Sequence, residues 1–566
     1  MQYQNIYSLF RSQTAKYGDQ PIFYSRQNEF WKSQTWADFE TQVHDFACAL
    51  LAKNLTRGAS VAILAGNVAQ WAVCDIGTIA AGGVGVGLYP TSSPEQCAYI
   101  IDHSDAEFVV VQGEKQLAKI FSVRGKLPKV KEIIVIGQNA ARAQEGPTHL
   151  ASFGNFKNQS FANFLQIGRE NQAKYLPQIE EIGLNARPEE TAMMVYTSGT
   201  TGEPKGAMLS HAYVLNSCES LRQTIPIFDA DVCFSYLPFC HVAERISGLY
   251  NRLYNGTAVY FVDDLTKLYA YMLEVRPTVF ASLPRFFEKI YARVVSENGE
   301  RTDSNAVKNA FGGRIRLLTS GGAPLPNEIA DFFARAGVPI LQAYGLTENI
   351  CVAFNRVDDF KFGTVGKPMP MCAVKISNDG EILVKSPMMF TGYYKEPEKT
   401  AEMFDDEGWL KTGDLGNLDA DGFLKITGRK KEIIVLSNGK NVAPVLLENL
   451  LKENHLISQA FIYGDGRSFV TALVTLNQAE AEAFARSSKI EFENLADLAK
   501  KEEIRLIISA QVEKTNARVS SSEAIKKFTI LERDFQLELD EVTPTLKLKR
   551  NVITQKFERD LQKMYD

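Results

Sequence analysis

At 566 residues the chain exceeds what one hydrophobic core supports, so two or more domains are expected. An apolar share of 45% with 23% charged residues is that of a soluble globular protein, and a net charge of -5 gives no bulk attraction to nucleic acid or anionic lipid. The cysteines are scattered without zinc spacing, no apolar run approaches a membrane span and residues 1–10 show no secretory pattern, so a cytoplasmic location is expected.

From the start, the pattern predicts a short helix after Ile6, a two-stranded element around Ile22-Phe23-Tyr24 and residues 31–35, and an amphipathic helix from Trp36. Phe39, Val43, Phe46, Ala47, Leu50 and Leu51 recur there at helical spacing. A strand at 60–64 leads through Asn67 into an apolar helix and the glycines of 82–87, which lack dinucleotide-fingerprint spacing and read as a strand with close backbone packing. A helix at 95–103 and strands at 108–111 and 132–136 follow. Short β-branched strands between helices argue for a layered α/β fold with parallel sheets. The polar segment 139–178 reads as an irregular surface excursion.

After the apolar run 192–195 comes Tyr196-Thr197-Ser198-Gly199-Thr200-Thr201-Gly202-Glu203-Pro204-Lys205-Gly206. Glycines let successive amides turn toward one point, hydroxyls add donors and Lys205 adds a mobile positive charge, a combination suited to phosphate. Pro204 before the lysine, with no Ser or Thr after it, excludes a Walker A loop.

The strand from Asp231 ends at Pro238 and His241, and the following helix, with Glu244-Arg245 and Leu249-Tyr250, is expected to turn an apolar side to a cavity. Residues 316–320 run into the small turn Gly321, Gly322 and Ala323, which leaves room for a flat ring against backbone. A strand from Ile340 ends in Tyr344, Gly345, Thr347 and Glu348, offering a ring for stacking and a carboxylate for magnesium. Residues 363–414 show the short strands of a small barrel or curved sheet. The polar run Arg429-Lys430-Lys431-Glu432 between apolar strands reads as a hinge. Residues 429–566 then suffice for one small domain, with helices near 444–451 and 479–487 and a strand at 469–474.

Taken in this order, the segments resemble the adenylate-forming (AMP-binding) superfamily over nearly the whole chain. Tyr236-Leu237-Pro238 with His241 and Glu244-Arg245 is most similar to the long-chain fatty acid-CoA ligase branch, as is Leu546 where the family usually has Gly before its catalytic lysine. The resemblance implies ATP, Mg2+ and CoA, and activation of a long-chain fatty acid to acyl-AMP followed by transfer to CoA. It implies a large N-terminal domain, 1–428, of layered α/β subdomains plus a β-barrel-like part, and a mobile C-terminal α+β domain, 429–566.

The same resemblance assigns roles. Thr197, Ser198, Gly199, Thr200, Thr201 and Gly202 would hold phosphate with Lys205, and Glu348 with Thr197 would hold magnesium. Gly321, Gly322, Ala323, Tyr344, Gly345 and Thr347 would hold adenine and the acyl carbonyl, Asp414 the ribose, and His241 stands in the acyl wall as a candidate catalytic residue. Arg429 and Lys431 belong to the hinge, Gly439 to the 437–441 loop that enters for thioester formation, and Lys547 is the catalytic lysine. No nucleic-acid partner is implied, and peripheral membrane contact is compatible with it. The alternatives are an acyl-AMP or carrier-protein ligase, or a non-catalytic sensor, which would be expected to lack Lys547, Glu348 or Asp414. Amino acid activation is disfavoured, because residues 234–241 contain no Asp to clamp an amino group.

Overall fold

Strands buried on both faces need continuous apolar runs, and Val61, Ala62, Ile63 and Leu64 are all fully enclosed. In the computed structural model, which describes residues 2–137, 157–197, 203–299, 303–521, 523–543 and 547–566, this strand lies inside an eight-stranded sheet. The strand order is Gly392–Tyr393, Lys205–Ser210, Thr191–Thr197, Val84–Leu88, Ser60–Leu64, Ala106–Gln112, Glu132–Ile136 and Lys157–Ser160. From Thr191–Thr197 onward all neighbours are parallel, while the first two strands pair antiparallel. The helix Trp36–Ala52 is closed at its start by a capping box between Thr35 and Asp38 and buries Phe39, Val43, Phe46 and Leu50.

The expected surface excursion is corrected beyond its undescribed part. Residues 157–160 add an edge strand, and the helices Phe161–Glu170 and Gln172–Leu184 follow. Phe164 meets Phe46 with ring centroids 5.2 Å apart, and a Cβ on Gly168 would stand 1.7 Å from the Asp45 carbonyl oxygen. Burial of an apolar stripe outweighs the polar average of the segment.

A five-stranded sheet holds Val279–Ser282, Leu317–Ser320 and Ile340–Leu346 in parallel, then Asn349–Phe354 and Lys367–Pro368 antiparallel. Phe280, Phe287, Phe311 and Phe333 fill its core. A four-stranded sheet joins Val232–Ser235 and Ala258–Phe261 to the hairpin Pro21–Gln27 and Phe30–Thr35. The strands expected as a small barrel or curved sheet are divided between sheets. Lys367–Pro368 and Gly392–Tyr393 complete the two large sheets, and Ala373–Ile376, Glu381–Lys385 and Leu410–Leu418 form a separate sheet with Leu424–Arg429.

The chain divides into two compact units, residues 1–374 with 384–410, and residues 375–383 with 411–566. The expected division at 428/429 falls inside the second unit. That unit also holds the short hairpin Ile434–Val435 and Asn441–Val442, and a sheet in which Val470–Leu476 pairs antiparallel with Ile457–Tyr463 and parallel with Ile525–Ile530. Val442, Leu447, Leu451, Val474, Ile504 and Ile508 form its core. Among the described residues no helix is long and apolar enough to cross a membrane.

Candidate active site

In the first unit, Thr197 closes one strand and Lys205 opens the next, and the antiparallel register sets them opposite each other. They frame residues 198–202, so Ser198, Gly199, Thr200, Thr201 and Gly202 lie outside the described residues. The edge strand Gly392–Tyr393 continues this sheet, pairing Tyr393 with Ala207. The Lys205 ammonium stands 4.8 Å from the centroid of the Tyr393 ring, and the Tyr393 hydroxyl donates to Oε1 of Glu348, which is 8% exposed. Burial, and then the charge of Glu348, push the Tyr393 hydroxyl far above its ordinary pKa, so it stays a donor. Tyr213 anchors the same corner by donating to the Thr347 carbonyl at 3.0 Å and accepting from the Ile350 amide at 3.0 Å.

The glycine turn is set beside this corner by the pairing of Ser320 with Gln342. Gly322 has φ +78°, a backbone that favours glycine, and a Cβ on Gly321 would stand 3.5 Å from the Ala343 carbonyl. Tyr344 is half-buried, and Gly345 is obligatory because a Cβ there would meet the Ile350 carbonyl at 1.9 Å. Residues 322 and 323 are small and exposed and follow the strand paired with that of the half-buried Tyr344, a combination suited to a planar base.

His241 stands near the start of the π-helical segment Ala243–Tyr250, with its Nδ1 accepting from the Ala243 amide at 3.2 Å. The buried side of that segment is not simply apolar, as the sequence led us to expect. It carries Glu244, paired with Arg252 at 2.6 Å, and the fully buried Arg245, paired with Asp75. Asn67 pins the preceding strand end by donating to Ser235 Oγ at 2.8 Å and to the Leu237 carbonyl at 2.6 Å.

The second unit holds the other candidates. Asp414 is 4% exposed and receives Arg429 Nε at 2.9 Å from the paired strand. Glu381 ties the same stretch to the hinge segment, accepting from the Gly413 amide at 2.9 Å and from Lys430 Nζ at 2.7 Å. Lys431 is exposed in the single turn Lys430–Glu432. Residues 436–440 form the tip of the hairpin, closed by the Leu436 amide on the Lys440 carbonyl at 2.9 Å, with Gly439 at φ +77°. Lys547 is exposed, and its amide donates to Thr543 Oγ1 at 3.1 Å while its carbonyl accepts from the Thr543 amide at 2.8 Å.

The pattern that defines AMP-binding enzymes matches residues 10–394, and that of the AMP-binding enzyme C-terminal domain matches residues 431–566. The chain belongs to the AMP-binding enzyme family. Among the relatives of this AMP-binding enzyme, the long-chain-fatty-acid–CoA ligase FadD15 of Mycobacterium tuberculosis is 33% identical across 95% of this chain and 93% of its own length. The long-chain-fatty-acid–CoA ligase ACSBG2 of Xenopus laevis is 30% identical across 99% of this chain and 83% of its own. The adenylation domain of a carboxylate reductase from Mycobacterium chelonae shares the fold at a TM-score of 0.81 and 23% identity, over 99% of this chain and 91% of that one. ATP-bound MatB from Rhodopseudomonas palustris does so at 0.73 and 22%, over 98% and 99%.

Within this AMP-binding enzyme, the first unit gathers Thr197, Lys205, Thr347 and Glu348 at one sheet corner, with Gly321, Gly322, Ala323, Tyr344 and Gly345 at the neighbouring strand ends. Asp414, Arg429, Lys431, Gly439 and Lys547 belong to the second unit. Sequence reasoning missed Tyr393, Glu381 and the Asp75–Arg245 pair. Two adjacent tyrosines after Gly392 gave a weak signal for the first, and nothing in the local pattern marked Glu381 or joined Arg245 to Asp75.

Proposed function

We propose that this AMP-binding enzyme activates a long-chain fatty acid with ATP and passes the acyl group to CoA. The observation that carries this reading is the meeting of Thr197, Lys205 and, through Tyr393, Glu348 at one corner of the sheet. Identity to proteins named long-chain-fatty-acid–CoA ligases over nearly the full chain supports the substrate class.

In the first half-reaction a carboxylate oxygen of the fatty acid bonds to the α-phosphorus of ATP, and the bond to the β-phosphate oxygen breaks, releasing pyrophosphate. Two anions must approach, so the site needs positive charge and oriented donors more than a base. Lys205 supplies charge from the first unit, and Lys547 is the lysine of the second unit that does so during adenylation. The half-buried Tyr344 stacks on adenine, and Asp414 accepts both ribose hydroxyls.

Magnesium suits this donor set. Glu348 offers a buried carboxylate whose Oε2 is bonded by no described residue, and among the described residues no group of three or more His, Cys, Asp or Glu forms a cage. Such a single carboxylate, together with Thr197 and substrate phosphates, is how this hard cation is usually held. When bound there, it would neutralise charge on the phosphates and on the departing pyrophosphate.

In the second half-reaction the sulfur of CoA bonds to the acyl carbon, the carbon–oxygen bond to AMP breaks, and the thiol proton is released. The segment 437–441 around the hairpin tip would serve this step after the hinge at Lys431 turns. The test is pyrophosphate release across fatty acids from acetate upward, followed by CoA-dependent AMP formation. Each buried methylene should add about 0.8 kcal/mol of binding until the pocket ends. Acetate used as efficiently as palmitate would overturn the long-chain assignment.

A further inference from the structure

The strand that carries Thr197 and the segment that carries His241 meet against the eight-stranded sheet. Val84–Leu88 and Thr191–Thr197 pair only at Gly85 with Met193 and at Val86 with Met194, although both strands run on. The neighbourhood of that opening is filled by the other segment. A Cβ on Gly87 would stand 2.7 Å from the Cα of Cys240. One on Gly85 would stand 2.1 Å from Asp75 Oδ1 and 2.5 Å from Arg245 Nη2. The two glycines therefore admit the His241 segment and its arginine to the sheet.

Arg245 and Asp75 are both fully buried. Nη2 and Nε of Arg245 donate to the two oxygens of Asp75, Nε at 3.2 Å, and the Tyr250 hydroxyl adds a third bond to that carboxylate at 2.8 Å. The Trp71 ring lies 5.0 Å from the guanidinium carbon. Nη1 is left to point elsewhere, and it donates to the Met194 carbonyl at 3.3 Å. Met194 is the last residue paired with the parallel neighbour, three positions before Thr197. The arginine also sits in a π-helical segment, a backbone form that is rare and concentrates at functional sites.

A buried ion pair is a poor device for stability alone, since apolar residues of similar volume often serve as well or better. What an apolar pair cannot supply is a donor to the Met194 carbonyl. We propose that Arg245, held by Asp75, is a positioning residue for nucleotide binding, which fixes where strand Thr191–Thr197 leaves its parallel neighbour and so joins the acyl wall to the phosphate side. This deepens the proposed reading and rests on nucleotide use, but not on which acid is activated.

The experiment compares the full-length protein with Arg245→Lys, Arg245→Met and the double variant Asp75→Leu with Arg245→Met. Unfolding temperature and ATP affinity are read together, the latter by calorimetry without a fatty acid. Arg245→Met alone should lose stability, because it strands a buried carboxylate. The double variant should regain part of the unfolding temperature that Arg245→Met loses, since the Tyr250 hydroxyl is left without its acceptor, yet bind ATP roughly tenfold more weakly. Wild-type ATP affinity in a stable double variant would make the pair purely structural and end the proposal. If the double variant does not fold, Arg245→Lys decides by amide exchange. Exchange at residues 195–197 should quicken with that of the second unit unchanged, and wild-type exchange at 195–197 overturns the idea. Failure of the fatty acid reading shows differently, as a wild-type protein that binds ATP but releases no pyrophosphate with any fatty acid.

Discussion

Tyr393 donates its hydroxyl to Glu348 while its ring lies 4.8 Å from the ammonium of Lys205. One side chain thus touches both a buried carboxylate and a cation, and its hydroxyl orients the carboxylate while the ammonium lies over its ring. Outer partners of metal ligands commonly matter nearly as much as the ligands. Tyr393→Phe should therefore weaken magnesium use by roughly ten- to a hundredfold, and Glu348→Ala by more. Pyrophosphate exchange across a magnesium titration measures both, and wild-type curves would remove the pair from the metal site.

Asp414 is buried with one oxygen held by Arg429. Asp414→Ala should raise the KM for ATP by the worth of a hydrogen bond to a charged partner, about 1.5 to 3 kcal/mol. A 2′,3′-dideoxy nucleotide cannot make those bonds, so the loss should shrink with it. Equal losses with both nucleotides would take Asp414 away from the ribose.

Lys547 and Lys431 are both exposed in the second unit, and the proposed alternation gives them opposite signatures. Lys547→Ala should slow adenylation by about two to three powers of ten, through loss of a contact that strengthens in the transition state. Preformed acyl adenylate and CoA should still give thioester near the wild-type rate. Lys431→Pro should show the converse, since a fixed φ hinders rotation at the hinge. Single-turnover kinetics of each half-reaction measures this, and equal damage to both halves in Lys547→Ala would defeat the alternation.

His211 supplies a pH dependence of stability. Burial lowers its pKa from 6.5 to about 4, and its unprotonated Nδ1 accepts from the Ile6 amide at 3.2 Å. Because the folded-state pKa is depressed, the contribution is fully present above 6.5 and is lost as pH falls toward 4. The gap corresponds to roughly 3 kcal/mol. His211→Gln should flatten the loss of unfolding temperature across that window, and an unchanged slope would assign the acid sensitivity elsewhere.

The candidate strand ends were legible because each joins an apolar run to a polar or glycine-rich stop, as at Thr197, Gly321 and Tyr344. The helices at Phe161–Glu170 and Gln172–Leu184 were missed although Phe161, Phe164, Leu165 and Gly168 fall at helical spacing, since average polarity masked a narrow apolar stripe. Tyr393 escaped for a different reason. Its partner Glu348 is 45 positions away, and only the pairing of Gly392–Tyr393 with Ala207 and Met208 sets it in place. Arg245 entered the sequence reading only within the Glu244-Arg245 motif, because local spacing cannot reveal a charge neutralised by Asp75, 170 positions earlier.

The first unit takes back residues 384–410 after the chain has already entered the second, and that return brings the edge strand Gly392–Tyr393. During synthesis, a nascent chain that ends near residue 374 lacks both the last strand of its large sheet and the hydroxyl that orients Glu348. The ribosome must extend well past the apparent end of the first unit before that unit can finish folding, and a hydrophobic sheet edge waits uncovered until then.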